Sequence, residues 1–275
     1  MNSEFTFTDG DFAKVRSLIH GKAGISLGEQ KAQMVYSRLS RRLRELQLTD
    51  FASYLRSLES DPNSSEWQSF INSLTTNLTS FFREAHHFPV LAEHVKKCTE
   101  PVTVWCAAAS TGEEPYSLAI TLTEALGAKA ASARVISTDI DTAVLAKAAT
   151  ATFTMEQVKG MSPERLRKFF HKGTGANEGK VRVRAEVAAL VKFSRLNLLD
   201  PSWAVKEPVD AIFCRNVMIY FDKPTQRKIL ERFETLLKPG GLLFAGHSEN
   251  ASLVDPNFKS VGPTVYQLPH KAGVR

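Results

Sequence analysis

Glu113 and Glu114 follow six small residues, Ala107-Ala108-Ala109-Ser110-Thr111-Gly112, which themselves follow a short β-type run from Val102 to Cys106. Pro115 comes next, at the first turn of a helix, where its missing N–H costs nothing. Small side chains at a strand-to-helix turn let a ligand approach the backbone, and open α/β sheets bind ligands at the carboxyl ends of their strands. Two carboxylates there suit a cationic group better than a phosphate. The chemistry expected is therefore recognition of an ammonium or sulfonium centre, not of a nucleotide pyrophosphate.

Asp139 ends a second β-type run, Arg134–Thr138, and lies 27 positions after Gly112. An acidic residue at that place in a doubly wound fold holds a ribose hydroxyl. Its alternative is the N-cap of a helix starting near Thr142, a role for which Asp141 competes. Asn197-Leu198-Leu199-Asp200, after a run around Lys192–Ser194, is either an adenine-edge contact or a plain turn. Arg215 and Asn216 sit inside the apolar run from Cys214 to Phe221. A buried guanidinium needs a carboxylate or a ligand beside it. Tyr220 follows, its hydroxyl within reach of the same cavity or at the surface of a core aromatic.

The stretch Thr75-Thr76-Asn77-Leu78-Thr79-Ser80-Phe81-Phe82-Arg83-Glu84 lacks helical periodicity yet carries an arginine beside two phenylalanines. It reads as a segment that closes over a cleft, with Phe81 and Phe82 excluding water. His86, His87 and His94 lack metal-ligand spacing, and no metal is expected. Arg38, Arg41 and Arg42 project from one side of a predicted helix whose buried face is Leu39, Leu43 and Leu46, with Arg44 further round. Such a run is a solvated face or a docking stripe for an acidic helix or phosphates.

These residues must be held by two kinds of architecture. Apolar residues recur at helical spacing from Phe12 to Leu74, so residues 1–75 form a helical unit, with Thr8 or Asp9 and Thr49 or Asp50 as caps. Residues 76–100 form a linker and a first helix over the cleft. From residue 101 to 275, runs at Arg134–Thr138, Val191–Ser194, Ala211–Cys214 and Leu242–Ala245 alternate with helices, which implies a mostly parallel sheet. A Gly-rich turn and the alternating Lys180–Arg184 break that order, giving an antiparallel insertion at about 171–194. Pro239-Gly240-Gly241 reads as a sharp turn before the last of these strands. The chain of 275 residues carries a net charge of +6, which favours acidic partners. Three scattered cysteines indicate neither a disulfide framework nor a zinc site. With no membrane-length apolar run and no signal-peptide pattern, the expectation is a cytoplasmic protein, a monomer, without membrane insertion.

The segments TTNLTSFFREAHHFP, AAASTGEEPYS, STDID, NLLD, FCRNVMIYFDK and LLKPGGLLFAGHSE resemble those of the CheR family, in order from near residue 10 to near 268. Members are S-adenosylmethionine-dependent glutamate O-methyltransferases of bacterial chemotaxis. The resemblance implies an α/β, Rossmann-like class I methyltransferase sheet with an N-terminal helical domain and a small antiparallel β-subdomain. It implies that Asn77, Thr79 and Arg83 lie over S-adenosyl-L-methionine, whose pocket Glu114, Asp139, Asn197, Leu198, Arg215 and Asn216 line. Arg83 and Tyr220 match positions at the methyl-transfer centre, and S-adenosyl-L-homocysteine is the product. The implied partners are the cytoplasmic methylation helices of chemoreceptors, facing Arg38–Arg44, and the receptor C-terminal pentapeptide. Gly179 and Arg182 match pentapeptide contacts, Lys172 stands where relatives carry Arg, and Lys180–Arg184 is the expected strand edge. Two other readings are a nucleic-acid methyltransferase and a non-catalytic adaptor. Arg215-Asn216-Val217-Met218 replaces the Asp/Asn-Pro-Pro-aromatic motif of the first, and Arg83, Glu114, Asp139 and Tyr220 argue against the second. No nucleic-acid partner is expected.

Overall fold

A computed structural model describes residues 4–249, 251 and 255–268. The helical unit contains α1 (Asp9–Ala23), α2 (Ala32–Glu45), α3 (Phe51–Ser60) and α4 (Glu66–Leu74). Thr8 caps α1 in a reciprocal box with Asp11, and Asp50 caps α3. Val15, Ile19, Val35, Leu39, Leu43, Tyr54 and Phe70 are fully buried in one core. Leu46, expected on the buried face of α2, lies at its C-terminal cap and is exposed. The helix ends before its fourth apolar position turns inward.

The second unit runs through α5 (His87–Val95), β1 (Thr103–Cys106), α6 (Glu113–Leu126), β2 (Arg134–Asp139), α7 (Thr142–Ala149), β3 (Thr152–Thr154), α8 (Pro163–Phe169), β4 (Phe170–Lys172), β5 (Lys180–Val183) and α9 (Ala185–Ala188). It continues with β6 (Val191–Arg195), β7 (Val209–Cys214), α10 (Lys223–Leu236), β8 (Leu237–Ala245), β9 (Lys259–Gly262) and β10 (Val265–Gln267). Seven strands form one sheet in the order β6-β2-β1-β7-β8-β10-β9. The pairs from β6 to β8 are parallel, and β10 runs antiparallel to both its neighbours. The chain reverses direction across the sheet between β1 and β7, and the crevice opens at their carboxyl ends. Apolar cores cover both faces. Val104 and Cys106 pack under α5 and α6, while Trp105 packs against Trp203 and Phe233 on the other side.

Three expectations change. The small antiparallel sheet, ordered β3-β5-β4, begins at Thr152, upstream of the span 171–194, and ends with β5 at Val183; the run Val191–Ser194 falls in β6, which pairs in parallel with β2 as the alternation implied. β3 has only three residues, too few for alternation to show. β5 is the central strand, paired on both sides, so Lys180–Arg184 offers no free edge. Pro239-Gly240-Gly241 lies inside β8 as a bulge, because Val209 pairs with Leu237 and Ala211 already pairs with Leu242.

Candidate functional site

The turn after β1 is built by backbone conformations that few residues adopt. Ser110 and Gly112 have φ of 48° and 101°, and a Cβ on Gly112 would lie 2.9 Å from that of Ala148. Glycine is therefore required for α6 to start where it does. The two glutamates then diverge. Glu114 points to Arg215, whose Nη1 donates to Oε2 at 2.8 Å. Glu113 turns the other way, accepting from Thr111 Oγ1 at 2.6 Å and Gln157 Nε2 at 2.7 Å. Only Glu114 borders the cavity.

That cavity, about 210 Å³, lies at the carboxyl ends of the parallel strands and is lined in part by Asn77, Thr79, Arg83, Glu114, Asp139, Asn197, Leu198, Arg215, Asn216 and Tyr220. The ten residues come from five stretches of chain that the fold brings to one place. Asp139, at the end of β2, accepts from the backbone N–H groups of Ser110 (2.8 Å) and Asp141 (2.9 Å). Burial pushes its carboxyl up to about 6, which those two hydrogen bonds only partly offset. Asp141 takes the capping role, accepting from Ala143 and Val144. Asn197 spends its amide on structure, donating to Lys22 O at 2.9 Å and accepting from Leu199 N at 3.0 Å.

Arg215, with a side chain 1% exposed, has the carboxylate its burial demanded. Its Nη2 donates to the carbonyl of Arg83 and lies 3.7 Å from Glu84 Oε2. Burial raises the Glu114 carboxyl, opposed by the Arg215 charge, and the same guanidinium helps hold Glu84 low although burial opposes it. Arg83 turns its own guanidinium to Leu78 O at 2.9 Å. Tyr220 sits on a short 3-10 turn, Met218–Tyr220, and its carbonyl accepts from Ser26 N at 2.9 Å.

Several contributions are unmarked in the sequence. The loop between α1 and α2, through Ile25, Ser26 and Leu27, forms a wall of the cavity. Asp141 Oδ2 accepts from Thr75 Oγ1 (2.7 Å) and Asn77 Nδ2 (2.8 Å), fastening the linker across the crevice. Phe81 and Phe82 do not line the cavity: Phe81 packs on Phe153 and Phe170 of the small sheet, and Phe82 on Phe88. They anchor the linker rather than dry the cleft. Glu84, His86 and His87 bring three ligand-type atoms within 4.8 Å of one another, a grouping not expected from their spacing, and the nearby Arg215 opposes a cation there. Burial holds His87 down at about 4, hence neutral.

The basic stripe is mostly occupied. Arg42 donates to Glu66 from Nε at 2.7 Å and also pairs with Glu45, while Arg44 pairs with Glu4. Arg38 donates to the carbonyls of Leu74 (3.1 Å) and Thr75 (2.7 Å) at the end of α4. Arg41 is exposed, and no hydrogen bond or ion pair holds it to another described residue. Arg182 points outward on central β5 and Lys172 lies on edge strand β4, while Gly179 is in the turn just before β5, its carbonyl accepting from Met155 N at 3.0 Å.

Residues 77–267 match the model of the CheR methyltransferase SAM-binding domain, and residues 10–75 that of the CheR methyltransferase all-alpha domain. A chemotaxis protein methyltransferase of Klebsiella aerogenes is 56% identical over 268 residues, covering 98% of this chain and 92% of the relative. That of Escherichia coli is 54% identical, covering 98% and 94%. Among solved structures, an RNA methyltransferase from Salinibacter ruber in complex with S-adenosyl-L-homocysteine aligns at 15% identity and TM-score 0.38, over 72% of this chain and 98% of its own. That likeness carries no functional argument.

Proposed function

The chain belongs to the CheR family of S-adenosylmethionine-dependent chemotaxis methyltransferases, and from that premise we propose that it methylates side-chain carboxylates of glutamates in bacterial chemoreceptors, yielding glutamate methyl esters and S-adenosyl-L-homocysteine. The observation that carries this reading is one cavity in which Glu114 and Asp139 lie with Arg83 and Tyr220.

The residues fit the cofactor. Asp139 is a desolvated carboxylate with no ion pair to another described residue, an acceptor suited to ribose hydroxyls. Burial raises the Glu114 carboxyl although the Arg215 and Arg83 charges oppose it, so a ligand ammonium would add to its neutralisation. Bound S-adenosylmethionine supplies an electrophilic methyl group on a sulfonium. A glutamate carboxylate is ionised at neutral pH, so no side chain has to act as a general base. What remains is in-line positioning and control of charge. Arg83 exchanges its bond to Leu78 O for a charge-assisted one to the incoming carboxylate, and Tyr220 donates from the other side. Receptor docking would use Arg41 on α2, and the receptor tail would extend the small sheet along β4 past Lys172, with Gly179 and Arg182 nearby.

The test is transfer of labelled methyl from S-adenosylmethionine to membranes bearing chemoreceptors. Base-labile label on the receptor that disappears when its acceptor glutamates are changed to alanine is the expected result. Base-stable label, or none, overturns the carboxylate assignment.

A further inference from the structure

Glu249 closes the motif LLKPGGLLFAGHSE, yet the chemistry above gives it no task. It is 7% exposed and does not border the cofactor cavity. Its Oε2 accepts the backbone N–H groups of Gly246 (2.6 Å) and Asn216 (2.9 Å). Its Oε1 accepts those of Met218 (2.7 Å) and Ile219 (3.3 Å). One carboxylate thus holds four amides from two loops, those leaving the neighbouring strands β7 and β8.

The first of these loops carries Arg215, Asn216 and Tyr220. Asn216 has φ of 59°, in the left-handed region, where the chain turns sharply. Gly246 lets the loops meet: a Cβ there would lie 2.8 Å from Asn216 N and 2.9 Å from Glu249 Oε2. A glutamine at 249 offers one carbonyl oxygen and an NH2 group, which would face two N–H donors instead of accepting from them.

We propose that Glu249 is a positioning residue for methyl transfer, acting through the 215–220 loop to set Tyr220 against the acceptor. The inference rests on the assignment of Tyr220 to the acceptor side. The full chain is assayed with receptor membranes, and wild type is run first. Glu249→Gln should lower kcat about tenfold or more, a larger factor than any rise in the KM for cofactor that Arg215 and Asn216 on the same loop would cause, and Glu249→Asp should restore part of the loss. Combined with Tyr220→Phe, it should be no slower than the slower single variant, because both act on one group. A kcat equal to wild type with only a lowered Tm, or losses that multiply, overturns the proposal. Where Glu249→Gln fails to fold, Gly246→Ala strains the same clamp and should give the same split; a wild-type kcat there overturns it. Should wild type label no receptor, the functional reading fails separately. Hydrogen exchange at the amides of 216–220 then decides the clamp: it should accelerate in the glutamine variant, and unchanged exchange refutes it.

Discussion

At the scale of single residues, burial decides who titrates and who binds. Burial pushes Asp139 up to about 6, because β2 delivers it into the crevice with two backbone donors and no cation among the described residues. On the proposed reading its ionised form would accept the ribose hydroxyls, so S-adenosylhomocysteine binding should be strongest above pH 6 and weaken as pH falls through that value. Titration calorimetry of wild type against Asp139→Ala checks this. The variant should bind more weakly by roughly 1–3 kcal/mol at neutral pH, and its affinity should lose that pH dependence. Arg83 offers a cleaner separation. Its backbone carbonyl, not its side chain, accepts from Arg215, so Arg83→Ala keeps the Arg215 contact. Turnover should fall about a hundredfold while the product dissociation constant moves less than about threefold. Equal losses would assign the guanidinium to the cofactor.

At the scale of elements, α2 divides its arginines between structure and surface. Arg42 is held by Glu66, which also accepts from the buried Tyr54 hydroxyl at 2.8 Å. Removing that guanidinium strands Glu66 half-buried, so Arg42→Ala should cost about 1–3 kcal/mol in denaturant unfolding. Arg41→Ala should leave stability unchanged and raise the KM for receptor instead. The opposite pattern would move the docking surface off this helix. The linker shows the same division of labour. Its polar residues Thr75 and Asn77 fasten to Asp141, and its aromatic pair fastens to the small sheet and to α5, which together hold Arg83 at the crevice.

At the scale of the whole molecule, the helical unit is part of the site as well as an attachment to it. The α1–α2 loop walls the cavity, and Ser26 holds Tyr220 by its carbonyl. The net charge of +6 acts at longer range and would favour encounter with an acidic receptor surface. Raising ionic strength from 0.05 to 0.5 M, a generic assay span of roughly 14 to 4 Å in Debye length, should increase the KM for receptor while kcat holds. A salt-independent KM would show that apolar contacts dominate docking.

The sequence alone determined the alternation of helices and strands, the glycine turn before α6, and the need of Arg215 for a carboxylate or a ligand, because these follow from periodicity, φ restrictions and desolvation. The order Asp139 over Asp141 at the crevice, the divergence of Glu113 from Glu114, and the pairing of Arg42 and Arg44 were decided only by tertiary structure. Each depends on which distant backbone or side chain arrives opposite, as Asp141 meets Asn77 across 64 positions and Arg44 meets Glu4 across 40. The central place of β5 was likewise illegible, because its partner β3 is three residues long and strand order is a property of the packed sheet rather than of any one segment.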